Sequence, residues 1–291
     1  MNPVESGLVF IVIAIVGWLS GHFHIITKEG RAHMTKILFY LLLPALVGSG
    51  VMKSPLTSDT MYIFFLTIIG TLIVWYLLLR IFMIWHDKKT ASLFALVTTI
   101  GNTGFLGFPL VSRMIGENAM PYAIAFSIGQ AVILVSVIYP SLGGNFSFKK
   151  LLSPPLVGMT IGFMLKMINP VIPGSIWNVT VDAFSMLGSA SGPLVMLIIG
   201  SSLEKIDIRA YDVALVGIKI FVMPILFYII LFKFITPIPL KTVILEAATP
   251  TLMAAPIWAS MAGLSEVEAS RIVAVSTGAF LILLPFIGMI L

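Results

Sequence analysis

Two short stretches concentrate the residue types that could hold a ligand in this chain. The first, Thr98-Thr99-Ile100-Gly101-Asn102-Thr103-Gly104-Phe105-Leu106-Gly107-Phe108-Pro109, sets three glycines, a proline, an asparagine and three threonines in otherwise apolar sequence. The second, Glu246-Ala247-Ala248-Thr249-Pro250-Thr251-Leu252-Met253-Ala254-Ala255-Pro256, has two prolines, two threonines and a carboxylate. An interior Gly costs a helix ~1 kcal/mol and a Pro ~3 kcal/mol relative to Ala, and Pro also removes a donor and clashes with the preceding turn. Both stretches are expected to break a helix. Backbone freed at lipid depth must lie inside protein or line a wet cavity. The half-helices made this way bring N–H groups and positive partial charge from their N-termini, and carbonyls from their C-termini, so an anion fits the first and a cation the second. Each terminus is worth only ~0.3–2 kcal/mol to a charge, so side chains must add selectivity, and Asn102, Thr103, Thr249 and Thr251 are the donors at hand.

Glu246 sits one turn before Pro250. A carboxylate held ionised in lipid costs ~2.5–3.5 kcal/mol, which makes it a functional-site candidate by default. It either binds a coupling Na⁺ or H⁺, or lies shallow enough to be hydrated, or stabilises the break by bonding a freed N–H. For Na⁺, oxygen ligands would have to converge on it, and Thr103, Ser127, Gln130, Thr249, Ser276 and Thr277 are the candidates. Lys219, ten residues inside Arg209, either offsets a carboxylate inside the bundle or snorkels to the cytoplasmic surface, and snorkelling is the preferred reading. Trp258 reads as an interface anchor ahead of a pocket wall.

The elements that must position these residues follow from composition. The 291 residues are 59% hydrophobic and 10% charged, where a soluble domain carries about 25% charge. Spans of ~20 residues with short loops allow roughly ten helices and leave no room for a soluble catalytic domain. Apolar runs recur at 7–26, 34–52, 61–85, 91–112, 119–142, 154–170, 180–203, 210–235, 241–263 and 266–290. The first run lacks a basic flank and reads as a retained helix, not a cleaved signal. Gly143 to Lys150 is the expected mid-chain linker. Zero cysteines and four histidines, all near span ends, argue against thiolate, haem or buried metal chemistry. No His-Glu-x-x-His or Gly-x-Ser-x-Gly occurs. The chain is expected to move something, not to transform it, without a cofactor beyond a coupling Na⁺ or H⁺.

Eleven Lys and Arg fall on the odd connections (Lys28, Arg31, Lys88 and Lys89 among them) and five on the even ones, with Lys219 inside a span. The positive-inside rule then puts both termini outside the cytoplasmic membrane. The +5 net charge is an orientation signal and not a nucleic-acid patch. A shift of 147 positions lays Gly101–Gly116 over Ala248–Gly263, matching Pro109 with Pro256, Met114 with Met261 and Gly116 with Gly263. Five spans per half is an odd number, so the halves are inverted, a mark of secondary transporters. The expected fold is an all-α integral membrane protein of ten transmembrane helices. It divides into two inverted five-helix repeats, residues 1–145 and 146–291, whose broken helices 4 and 9 cross. The spacing Gly188-x-x-x-Gly192 marks close packing, within the monomer or at a dimer face.

At these residues the chain resembles the auxin efflux carrier family. The resemblance rests on Asn102-Thr103 with Gly107-Phe108-Pro109-Leu110, Ser153-Pro154-Pro155-Leu156, Pro193-Leu194, Gly200-x-Ser202-Leu203, Lys219 with Pro224, and Glu246-Ala247-Ala248-x-Pro250. It implies a fold like that of bile-acid:sodium symporters and a homodimer. Spans 1, 2, 6 and 7 would be the scaffold, and spans 3–5 and 8–10 a transport domain moving as an elevator. Asn102 falls on the family's crossover asparagine, which the substrate's carboxylate approaches. The substrate-binding set is then Asn102, Thr103, Gly104 and Pro109 with Thr249, Pro250, Thr251 and Pro256, and the coupling-ion set Glu246, Ser127, Gln130, Ser276 and Thr277. The plant carriers commonly have Gln at the position of Glu246 and carry a long central loop that is nearly absent here. These departures point to a compact bacterial member and to a malate- or malonate-like dicarboxylate ahead of an indole acid. The alternatives are an uncoupled auxin-like carrier and a passive anion channel.

Overall fold

The computed structural model describes residues 3–53, 57–143, 154–202 and 208–290. The described residues form α1 (Pro3–His22), α2 (Lys28–Ile37), α3 (Leu43–Lys53), α4 (Ser58–Phe82), α5 (Lys88–Thr99), α6 (Phe108–Met114), α7 (Met120–Ile133) and α8 (Tyr139–Ser141). After an interval that contains the 145/146 boundary and all of the expected linker but Gly143, outside the described residues, come α9 (Pro154–Ile168), α10 (Gly174–Ser189) and α11 (Ser191–Ser202). The chain ends with α12 (Ala210–Gly217), α13 (Met223–Leu231), α14 (Pro237–Ala248), α15 (Ala255–Met261) and α16 (Glu266–Ile290). Among the described residues, seven helices are long and apolar enough to cross a membrane: Pro3–His22, Lys28–Lys53, Ser58–Phe82, Glu117–Ser141, Gly174–Ser202, Ala210–Leu231 and Glu266–Met289. The other expected spans fall on α9, which has 15 residues, and on two interrupted helices, α5 with α6 and α14 with α15.

Prolines shape the long helices in one repeated way. Residues 38–42, 103–107, 134–138 and 218–222 each form a π turn, and the residue after it bonds five positions back: Leu43 to Leu38, Phe108 to Thr103, Tyr139 to Leu134, Met223 to Ile218. The next residue is always proline: Pro44, Pro109, Pro140, Pro224. A proline ring collides with the carbonyl four residues earlier. Widening the preceding turn moves that carbonyl aside and lets the helix continue.

Glycines bring three helix pairs into backbone contact. A Cβ on Gly17 would lie 2.7 Å from the Leu197 carbonyl oxygen, one on Gly21 2.8 Å from that of Ser201, and one on Gly200 would strike that of Ala14, so α1 and α11 touch along their length. Gly158 against Pro44 and Gly162 against Gly48 do the same for α9 and α3, and Gly188 sets α10 against Leu46 of α3. Gly188 and Gly192 therefore pack within the chain, on Leu46 and Phe10. Arg31 donates to the Ser201 carbonyl at 2.9 Å, satisfying one of the last acceptors of α11.

Candidate functional site

The two expected breaks both exist, and they bond to each other. α5 stops at Thr99, Ile100 turns extended, and Gly101 forms an antiparallel bridge with Thr251. Asn102 N–H donates to the Pro250 carbonyl at 2.8 Å, and Leu252 N–H to the Ile100 carbonyl at 3.0 Å. The bridge residues' own N–H groups are held by side chains from flanking helices. Gln130 of α7 accepts from Gly101 N at 3.1 Å, and Ser276 of α16 accepts from Thr251 N at 3.1 Å. Buried backbone donors need partners, so Gln130 and Ser276 make this non-helical patch tolerable inside the bundle.

A cavity of about 350 Å³ opens beside the first break. Asn102, Thr103, Gly104, Ser127 and Gln130 line it, with Phe39, Phe105, Phe108, Leu134, Leu252 and Trp258 among its apolar walls. Phe39 and Phe105 stack with centroids 4.9 Å apart, and Trp258 packs edge-on against Tyr139. No basic side chain lies among the described lining residues. The backbone of Asn102 is fully engaged, because its carbonyl also accepts from Leu106 N at 3.1 Å and Gly107 N at 3.0 Å. Its side-chain Oδ1 is buried without a hydrogen-bond partner among the described residues. Thr103, Gly104 and Phe105 follow it, and the first N–H groups of a helix have no intrahelical acceptor. A primary amide and unspent N–H groups at one wall of an apolar cavity can orient the charged end of a small ligand.

Sequence reasoning placed the donors of the second break in the same site, and the structure puts them elsewhere. Thr249 Oγ1 donates to the Glu246 carbonyl at 2.6 Å and Thr251 Oγ1 to the Val97 carbonyl at 2.8 Å. Both are buried and neither reaches the cavity; nor do Pro250 and Pro256. Pro109 lines a second cavity, of about 370 Å³, with Ser112, Arg113, Ser189 and Ser191. The oxygens named for a coupling cation are spread over separate contacts. Ser127 pairs with Thr103 at 2.7 Å, Gln130 and Ser276 hold the bridge, and Thr277 donates to the Val273 carbonyl at 2.7 Å.

Behind the bridge lie two groups that no loop could hydrate. Glu246 and Lys219 are both fully buried. Lys219 does not snorkel, contrary to expectation: its ammonium donates to the Ala247 carbonyl at 2.6 Å, near the open C-terminus of α14. The π turn at 218–222 keeps this residue facing the bundle interior. Glu246 has both carboxylate oxygens buried without a partner among the described residues, and they occupy the space where a Cβ on Gly107 would stand. The depth of Lys219 in its span raised this arrangement only as the alternative to snorkelling, and nothing in the sequence marked Gly107 for it.

Comparison with known proteins identifies the family. A family model described as "Membrane transport protein", that of the auxin efflux carrier-like family, matches the chain twice, over residues 4–145 and 140–288. The chain belongs to this family. It is 27% identical over 220 residues to an uncharacterized transporter of Methanocaldococcus jannaschii, covering 70% of each chain. It is 24% identical to an uncharacterized transporter of Methanothermobacter thermautotrophicus, covering 100% of this chain and 99% of the relative. This member of the family is thus a multi-pass membrane transporter rather than an enzyme.

Proposed function

We propose that the protein is a secondary transporter of a small organic anion, a carboxylate, with its site where the broken fourth and ninth spans cross. The observation that carries this reading is the side-chain amide of Asn102, whose Oδ1 has no partner among the described residues and whose NH₂ can donate to a carboxylate, set beside the first N–H groups of a broken helix on a 350 Å³ cavity. The cavity's lining favours one carboxylate on an apolar body. A second carboxylate would lose hydration worth several kcal/mol with no basic partner to restore it. A monocarboxylate is therefore preferred to the malate-like acid that the sequence suggested.

The ten-span inverted repeat is supported by the double family match and by the near-equivalent bonding of the two breaks. The glycine seams of α1 with α11 and of α3 with α9 and α10 support a scaffold of spans 1, 2, 6 and 7. Gln130, Ser276 and Lys219 tie α7, α16 and the α12–α13 helix to the bridge, as a transport domain moving by an elevator would need. Coupling is assigned to Glu246. The homodimer, the cytoplasmic membrane and the external termini complete this reading, the last two from charge placement.

Thermal-shift screening of the purified protein against mono- and dicarboxylic acids, at two pH values and with or without Na⁺, tests the substrate class. Counterflow of a labelled acid in proteoliposomes tests the mechanism. Flux that neither saturates nor shows counterflow would replace the transporter by a channel.

A further inference from the structure

Resting on the transport reading above, we infer that Glu246 carries one proton with each carboxylate, and that Lys219 is a built-in cation standing where a coupling metal ion would otherwise be needed. The α14 C-terminus at the break is where a cation belongs, and the Lys219 ammonium already takes the Ala247 carbonyl there. Among the described residues, the side-chain oxygens of Thr103, Ser127, Gln130, Thr249, Thr251 and Ser276 are committed to backbone groups or to one another, and only the neutral oxygens Thr99 Oγ1 and Asn102 Oδ1 are buried near the break without a partner. The charged group that stays open is the Glu246 carboxylate, neither of whose oxygens has a partner among the described residues. The smallest cation able to reach such a group without a hydration shell is a proton.

Charge balance fixes the stoichiometry. Lys219, bonded to the Ala247 carbonyl, and Glu246 are the fully buried ionisable side chains at the break among the described residues. With Glu246 as carboxylate and Lys219 as ammonium, the empty site carries no net charge. Binding R–COO⁻ adds one negative charge to a water-poor interior, and a proton arriving on a Glu246 oxygen removes it. Lys219, which does not line the cavity, then balances the substrate's charge from behind the bridge. Acid and proton cross together with no net charge moved.

The link between the two sites is short. The π turn at 103–107 begins at Asn102, whose carbonyl holds Gly107 N–H at 3.0 Å, and Gly107 lies against the Glu246 carboxylate. Asn102 faces the cavity at one end of this turn and Glu246 meets the other. Gly107 is a positioning residue in this arrangement, since any Cβ would displace the carboxylate.

Calorimetric titration of the purified protein with 3-phenylpropionate and with malonate, in two buffers of different ionisation enthalpy, counts the protons taken up. We expect about one proton per bound acid in the wild type, none in Glu246→Gln or Lys219→Met, and the same affinity with or without Na⁺. Binding without proton uptake in the wild type, equal uptake in Glu246→Gln, or a Na⁺ requirement would overturn the inference. If neither acid binds the wild type, the transport reading loses its substrate class, and the proton site is judged by infrared pH titration of the ligand-free protein. There, a carboxylic-acid carbonyl band absent from Glu246→Gln supports it, and the lack of such a band overturns it.

Discussion

The two breaks come from similar sequence, yet they divide their labour. The first is glycine-rich and open: its turn leaves the side chains of Asn102 and Thr103 and the space above Gly104 facing a cavity. The second is closed. Thr249 and Thr251 fold their hydroxyls onto backbone carbonyls, and the charged pair stands behind them. Proline without glycine stiffens a break and lets nearby hydroxyls satisfy it locally, whereas Gly-x-x-Gly spacing leaves room that a ligand or a neighbouring side chain can fill. One break can then read a substrate while the other holds charge.

The division can be broken most severely at Asn102. Asn102→Ala should weaken carboxylate binding about ten- to a hundredfold, as expected for losing a hydrogen bond to a charged group worth ~1.5–3 kcal/mol, with an unchanged melting temperature. Thr251→Val should do the reverse, lowering stability by roughly 1 kcal/mol and sparing affinity; equal affinity losses in both would erase the distinction. Next come the glycines of the open break. Gly107→Ala must push the Glu246 carboxylate and should destabilise by ~1–3 kcal/mol. Gly104→Ala meets nothing within 4 Å and should stay within ~0.5 kcal/mol of wild type in thermal unfolding. The two props of the bridge offer a finer test. Gln130→Leu and Ser276→Ala each strand one buried N–H and should each cost ~1–3 kcal/mol, with Gln130→Leu the costlier because it also releases the Thr99 carbonyl; the reverse order would mean that the bridge leans on Ser276.

The smallest effect lies at the helix starts. Asp87 caps α5 by accepting from Lys89 N and Thr90 N, while α14 begins at Thr236 without a side-chain cap. The Thr90 hydroxyl, foremost, and then its N–H hold the Asp87 carboxyl below the ordinary aspartate range. A lowered folded value means a contribution present above the unfolded pKa and lost as pH falls through the folded one. Acidification below about pH 4 should therefore raise amide exchange at the start of α5 and leave the start of α14 unchanged.

Much of this was legible in the sequence. Several Gly and Pro gathered in one stretch at lipid depth located both breaks, because their helix costs add up, whereas the single prolines Pro44, Pro140 and Pro224 are absorbed by a wide turn. Asn102 was legible as a polar donor within the first break. The burial of Lys219 was not, because snorkelling and interior pairing look alike until a π turn sets which face the residue takes. The inward turn of Thr249 and Thr251 depended on which carbonyl lay nearest, a tertiary fact. The apolar character of the cavity came from Phe39 and Trp258, which local sequence gave no reason to place opposite Asn102.

The four wide turns also behave as concealed one-residue insertions. A helix advances about 100° per residue, so deleting one residue upstream of Pro140 would restore regular bonding yet swing Tyr139 round to another side and off Trp258. Length in these helices is therefore a form of aim, and a single-residue deletion should redirect a wall of the cavity more thoroughly than most substitutions within it.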